Sequence, residues 1–183
     1  MAILFLVEIA DGKVKKASFE TASYAAAYAK QIGKDAVGLA LGTVDHAELA
    51  ALGVYGATKV VHVENKAFDN FDATVYAKAI ADTAAKVSAD TIVIAQTLTG
   101  KAVAPIVSAR LKAGIVSGGV GLPDADFVVK KTAFSGKAFA YVKVNTAQKV
   151  VAIVPNSFGA VKGTGTAAVE DIQIDVAASR ITV

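Results

Sequence analysis

Gln96, Thr97, Thr99, Gly100 and Lys101 form the run whose residue types and order are best suited to holding an anion. The run follows the apolar strand sequence Thr91 to Ala95 and precedes a helical pattern. It therefore sits at the carboxyl end of a strand and at a helix N-terminus, where free backbone N–H groups attract negative charge. The hydroxyls of Thr97 and Thr99 add donors, and Lys101 adds a cation. The plainer reading is a capped helix, which the residues alone favour.

Other constellations fail on context. His46 and His62 are the only histidines; neither has a metal partner at ligand spacing in the sequence, so both read as structural. Gly118-Gly119-Val120-Gly121 leads to Pro123 and not into a helix, which disqualifies it as a dinucleotide fingerprint. Gly163-Thr164-Gly165 fails for the same reason. Gly100-Lys101 resembles the end of a P-loop, but Ala102 replaces the Ser/Thr and the upstream Gly is missing. No G-x-S-x-G nucleophile elbow occurs. Lys130, Lys131, Lys137, Lys143 and Lys149 cluster near one predicted hairpin, where edge protection is favoured over docking of an acidic partner.

Composition narrows the classes further. The chain has 183 residues, a length for one domain. Apolar residues make up 54% and mean hydropathy is +0.50, an excess suited to a face covered by another domain or subunit. Nineteen Lys and Arg against 16 Asp and Glu give a formal charge of +3. The basic residues form no dense patch with aromatics, so nucleic acid is not an expected partner. With no cysteine there is no disulfide, thiolate catalysis or Cys-ligated metal. The N-terminal apolar run is too short for a signal peptide or a membrane span, so no membrane insertion is expected and the cytoplasm is the expected location.

The elements that must position these residues alternate strand and helix. Ile3 to Ile9, Ala36 to Leu41, Lys59 to Val63 and Thr91 to Ala95 read as strands, the first as a buried parallel strand. Thr21 is the expected cap of a helix to Ile32, with Tyr24, Ala27, Tyr28 and Ile32 inward and Gly33 as its stop. Asp45 and Glu48 open a short helix that Gly53 should end. Asp72 caps a helix whose stripe is Val75, Tyr76, Ala79, Ile80, Thr83, Ala84 and Val87. A further helix is predicted to start just after Gly100, because Pro105 belongs in a first turn. Beyond it, Ile115 to Leu122 and Val150 to Val154 read as strands. Phe127 to Phe134 and Ala138 to Val144 read as a hairpin. The expected architecture is α/β, a Rossmann-like three-layer sandwich with a parallel core and an antiparallel hairpin extension. Within one domain, the parallel core covers about residues 1–115 and a hairpin-rich part about 116–156. A flexible connection from Phe158 to Thr166 and an edge strand from Val169 to Val176 fall in the last part, about 157–183.

From Thr91 onwards the residues resemble a known family. The run TIVIAQTLTGKAVAPIVSARLKAG is similar to the N-terminal domain of electron transfer flavoprotein α subunits. Thr99-Gly100-Lys101, Pro105 and Ala109-Arg110-Leu111 match that pattern. Phe134-Ser135-Gly136-Lys137-Ala138 looks like the family's hairpin, and KVVAIVPNSF from Lys149 to Phe158 like its closing strand and loop. Upstream, Gly53, Tyr55-Gly56-Ala57 and Lys59-Val60 resemble the lead into the third strand. Gly118 stands where an Asp is common after the Ser at Ser117, so no role is carried over to that position.

The resemblance implies an adenine-nucleotide α-hydrolase-like fold and a structural, partner-binding role without catalytic residues. It implies an electron transfer flavoprotein β subunit and a C-terminal FAD domain of the α subunit as partners. Electrons would pass from flavin dehydrogenases, such as those of fatty acid oxidation, to a membrane quinone reductase. FAD belongs to the complete heterodimer and none is expected for this chain alone. The loop corresponding to Gln96–Lys101 helps hold AMP in the related β subunit. The chain stops at Val183, about where the FAD domain would begin, so it reads as an excised domain or a naturally split subunit. The rival reading is a free-standing nucleotide-binding module of universal-stress type using Thr97, Thr99 and Gly100.

Overall fold

The computed structural model describes residues 1–176, 179 and 181. Strand β1, Ala2–Val7, is buried along its whole length, the signature of a parallel strand covered on both faces. A two-residue ribbon follows, β2 at Ile9–Ala10 and β3 at Lys13–Val14. Helix α1 spans Lys16–Ile32, β4 Asp35–Leu41, α2 His46–Ala50 and β5 Lys59–Val63. Helix α3 is Ala73–Lys86, β6 Ala89–Ala95, α4 Leu98–Leu111 and β7 Gly114–Gly119. The last strands are β8 at Val128–Ala133, β9 at Ala138–Lys143, β10 at Lys149–Ile153 and β11 at Ala168–Asp171.

Nine strands form one sheet in the order β11-β5-β4-β1-β6-β10-β7-β8-β9. All pairings from β11 to β7 are parallel, and β7-β8 and β8-β9 are antiparallel. The sheet is thus α/β with a hairpin extension, as expected. Alternation along β1 divides the interior. Ile3, Phe5 and Val7 join Tyr24, Ala25 and Tyr28 of α1 on one face. Leu4 and Leu6 join Ile80 of α3 and Val103 and Val107 of α4 on the other. Each fully buried branched side chain of this kind contributes about 1.5–3 kcal/mol. Strand β10 enters the sheet between β6 and β7, so a late segment completes the centre.

Several sequence boundaries shift, each for a physical reason. Helix α1 starts at Lys16 and not at Thr21, because Ser18 Oγ accepts from the Glu8 amide at 2.8 Å and anchors the first turn to the end of β1. The Thr21 hydroxyl instead donates to the Ala17 carbonyl at 2.8 Å, a bond within the helix. Ile32, expected inward, is exposed at the last turn. Gly53 does not end α2: it lies in a 3-10 turn, Ala51–Tyr55. A Cβ there would sit 2.2 Å from the Ala167 amide nitrogen, so Gly53 permits the close passage of the C-terminal segment.

Helix α4 also begins earlier than expected, at Leu98, which puts Pro105 in its interior. Proline removes the amide that would pair with the Lys101 carbonyl. Lys101 and Pro105 lie on the exposed side of the helix, where water reaches that carbonyl. The edge strand expected over 169–176 is a strand only to Asp171. Beyond it, the Ile172 amide still donates to the His62 carbonyl at 2.9 Å, and Ile172, Ile174 and Val176 pack against the α3/α4 face. The end of the expected last part, at 177–183, lies outside the described residues apart from 179 and 181.

Candidate functional site

The Gln96–Lys101 run lies at the carboxyl ends of β1 and β6. At this point the chain order reverses, β4 lying on one side of β1 and β6 on the other, and open α/β sheets bind ligands in the crevice so formed. Thr97 is the N-cap of α4: its Oγ1 accepts from the Gly100 amide at 3.0 Å. The same hydroxyl donates to Glu8 Oε1 at 2.5 Å. Glu8 is buried at the end of β1, and its other oxygen lies 3.4 Å from Lys15 Nζ.

The remaining loop residues are also engaged or turned outward. Gln96 Nε2 donates to Ser117 Oγ at 2.9 Å, and the Gln96 amide donates to the Ile153 carbonyl at 2.7 Å. These bonds tie the ends of β6, β7 and β10 together. Gly100 is buried against the sheet, and a Cβ on it would lie 1.8 Å from the Ala95 carbonyl oxygen. Its identity is therefore set by close helix–strand approach. Thr99 faces a cavity of about 180 Å³ whose wall includes Glu8, Lys15, Asp69 and Tyr76. Two carboxylates and one ammonium line that space. Lys101 is exposed.

The group to be held at such a crevice is the pyrophosphate of FAD or the phosphate of AMP. A phosphate at the crevice would meet the buried Glu8 carboxylate, and the Thr97 hydroxyl already has both a donor and an acceptor partner. The residues present do not fit such a group. Thr97 bonds to Glu8 across the ends of β6 and β1 and caps α4, the cap alone being worth about 0.5–2 kcal/mol.

A second constellation was not visible in the sequence. His46 stands at the first position of α2 after its cap Asp45, and His62 lies in β5. Parallel pairing of β11 with β5 sets Asp171 in register with His62. His62 Nδ1 lies 2.8 Å and His46 Nε2 3.0 Å from the same oxygen, Asp171 Oδ1. The expectation that neither histidine has a partner at ligand spacing is thus corrected. Asp171 is more than a hundred residues away in sequence, so only the strand register brings it in. The contact with His62 holds the Asp171 carboxyl below the usual carboxylate range, with His46 adding to the effect.

The hairpin forms the far edge of the sheet. In β9 no residue is fully buried, and its outer face carries Phe139 and Tyr141. Phe134 in the connecting turn is 81% exposed. Lys130 covers part of Phe139, its Nζ 3.7 Å from the ring centroid. The five lysines do not act as one group, since Lys149 begins the central strand β10. Among the described residues no helix is long and apolar enough to cross a membrane.

Comparison with known proteins gives a consistent result. The model of a family described as electron transfer flavoprotein domain matches residues 3–177. The chain is 27% identical over 162 residues to the electron transfer flavoprotein subunit alpha of Bacillus subtilis, covering 86% of this chain and 49% of that protein. It is 24% identical over 176 residues to the electron transfer flavoprotein subunit alpha of Clostridium acetobutylicum, covering 94% of this chain and 52% of that one. The chain spans about half the length of these relatives.

Proposed function

The chain belongs to the electron transfer flavoprotein domain family, and from that premise we propose that it is the N-terminal domain of an α subunit, serving structure and partner binding in an FAD-dependent electron carrier. The observation that carries this reading is the continuous family match over residues 3–177, joined to coverage of about half of two α subunits. In this reading the flavin is held by a C-terminal FAD domain of the α subunit outside this chain. A β subunit completes the assembly. Electrons pass from flavin dehydrogenases to a quinone reductase, in the cytoplasm.

The site geometry supports a role without chemistry of its own. Thr97 and Glu8 are bonded to each other across the switch-point crevice. In a flavoprotein the bound flavin supplies the electron chemistry, and the surrounding protein supplies position and electrostatics. Here α1, α3 and α4 make a rigid sheet platform, and the hairpin offers aromatic surface beyond it. Phe134, Phe139 and Tyr141 form the contact with the β subunit, because aromatics are the residues that gain most from burial at an interface.

Co-expression with an electron transfer flavoprotein β subunit tests the proposal. The expected result is a stoichiometric complex on size exclusion, lost on combining Phe134→Ser with Tyr141→Ser while the variant keeps its melting temperature. Failure of the parent chain to associate overturns the reading. Association that survives both substitutions overturns the placement on the hairpin.

A further inference from the structure

We propose that His46, His62 and Asp171 form a binding site for one divalent transition-metal ion of the zinc type, which clasps edge strand β11 to β5 and to the start of α2. His62 is 2% exposed, and its surroundings fix where its protons sit. Its Nε2 lies 2.8 Å from the Gly42 carbonyl oxygen. A carbonyl only accepts, so Nε2 carries a proton. In a neutral imidazole the other nitrogen, Nδ1, then presents a bare lone pair. That nitrogen lies 2.8 Å from Asp171 Oδ1, which also only accepts when ionised. Two acceptors at this distance require a positive centre between them.

A proton on Nδ1 meets the requirement for that pair alone. His46 Nε2 lies 3.0 Å from the same oxygen, whose second lone pair faces it. A metal ion serves all three atoms together. The three lie within 4.8 Å of one another. Zinc bonds to His nitrogen and carboxylate oxygen are about 2.0–2.2 Å, which sets tetrahedral ligand atoms about 3.3 Å apart. The two nitrogen–oxygen distances need to open by a few tenths of an ångström and the two nitrogens, within 4.8 Å of each other, to settle at that spacing, adjustments that the exposed His46 and Asp171 side chains can supply.

Two imidazoles and a carboxylate are a donor set that first-row divalent ions favour over calcium or magnesium. The Gly42 carbonyl fixes the His62 tautomer and ring orientation, as outer partners of metal-binding histidines do. His46 and Asp171 have side chains 52% and 57% exposed, so the site opens to solvent for entry and for a fourth, water ligand. The consequence is mechanical. Among the described residues strand β11 pairs only with β5, and the ion would add ligands from β5 and α2 to the end of that pairing.

The chain, stripped with a chelator, is titrated with zinc by calorimetry, and with cobalt to read the intense visible bands of tetrahedral coordination. One equivalent is expected to bind. His46→Ala and Asp171→Asn, both at the surface, should each weaken binding at least tenfold and remove the cobalt bands. Zinc should also slow amide exchange at Val169 to Ile172 in the parent chain and leave both variants unchanged. No stoichiometric uptake overturns the site. So does uptake that His46→Ala and Asp171→Asn leave unaltered, since it would lie elsewhere on the chain.

Discussion

Thr97 and Glu8 are joined by a 2.5 Å hydrogen bond across the ends of β6 and β1. The bond occupies the place where an open α/β sheet ordinarily admits a ligand. It also explains why a loop with the composition of an anion cradle can serve as architecture. Its hydroxyl holds a buried carboxylate on one side and a helix amide on the other.

Thr97→Val removes both interactions at once. The lost cap and the charge-assisted bond together should lower stability by about 2 kcal/mol, read from the urea midpoint. Titration of the parent chain with AMP or ATP should give no saturable signal in the micromolar range. A saturable signal that Thr97→Val abolishes would instead favour a nucleotide-binding module.

Gly100→Ala addresses the close approach of α4 to β6. The added methyl would sit 1.8 Å from the Ala95 carbonyl oxygen, so backbone has to move. The expected loss is about 1–3 kcal/mol, the range for overpacking. A melting curve indistinguishable from the parent would show that α4 shifts freely, contrary to the packing described.

Glu20 should act as the pin of the segment after β10. This buried carboxylate accepts from the amides of Asn156, Phe158 and Gly159 at 2.7, 2.8 and 3.0 Å. Ser23 and the Phe158–Tyr24 ring contact add to the attachment. Glu20→Ala should cost about 2 kcal/mol and speed exchange of the Phe158 and Gly159 amides. Unchanged exchange at those two amides would mean that other contacts hold the segment.

What was legible in the sequence was what local pattern encodes. The apolar run of β1, the stripe of α3 from Val75 to Val87 and the Asp45 and Asp72 caps follow from periodicity and side-chain chemistry, and the structure has them. What escaped depends on partners distant in the chain. Nothing in Lys149–Ile153 says that it lies between β6 and β7 and not at an edge. The start of α1 is set by Ser18 reaching Glu8, a contact with no local signature. Gly53 reads as a helix stop until Ala167 is placed against it. His62 and Asp171 meet only through the register of β11 on β5. At Gln96–Lys101 the residues alone favour a capped helix over an anion cradle, and the cap is there at Thr97; the Glu8 carboxylate bonded to it is invisible from that loop's own sequence.

The central claim is that this chain is a partner-binding domain whose flavin is held elsewhere. Visible absorption of the purified chain, incubated with FAD and then desalted, tests it most directly. No flavin band should remain. A stoichiometric band surviving desalting would contradict it and place a flavin site within these residues.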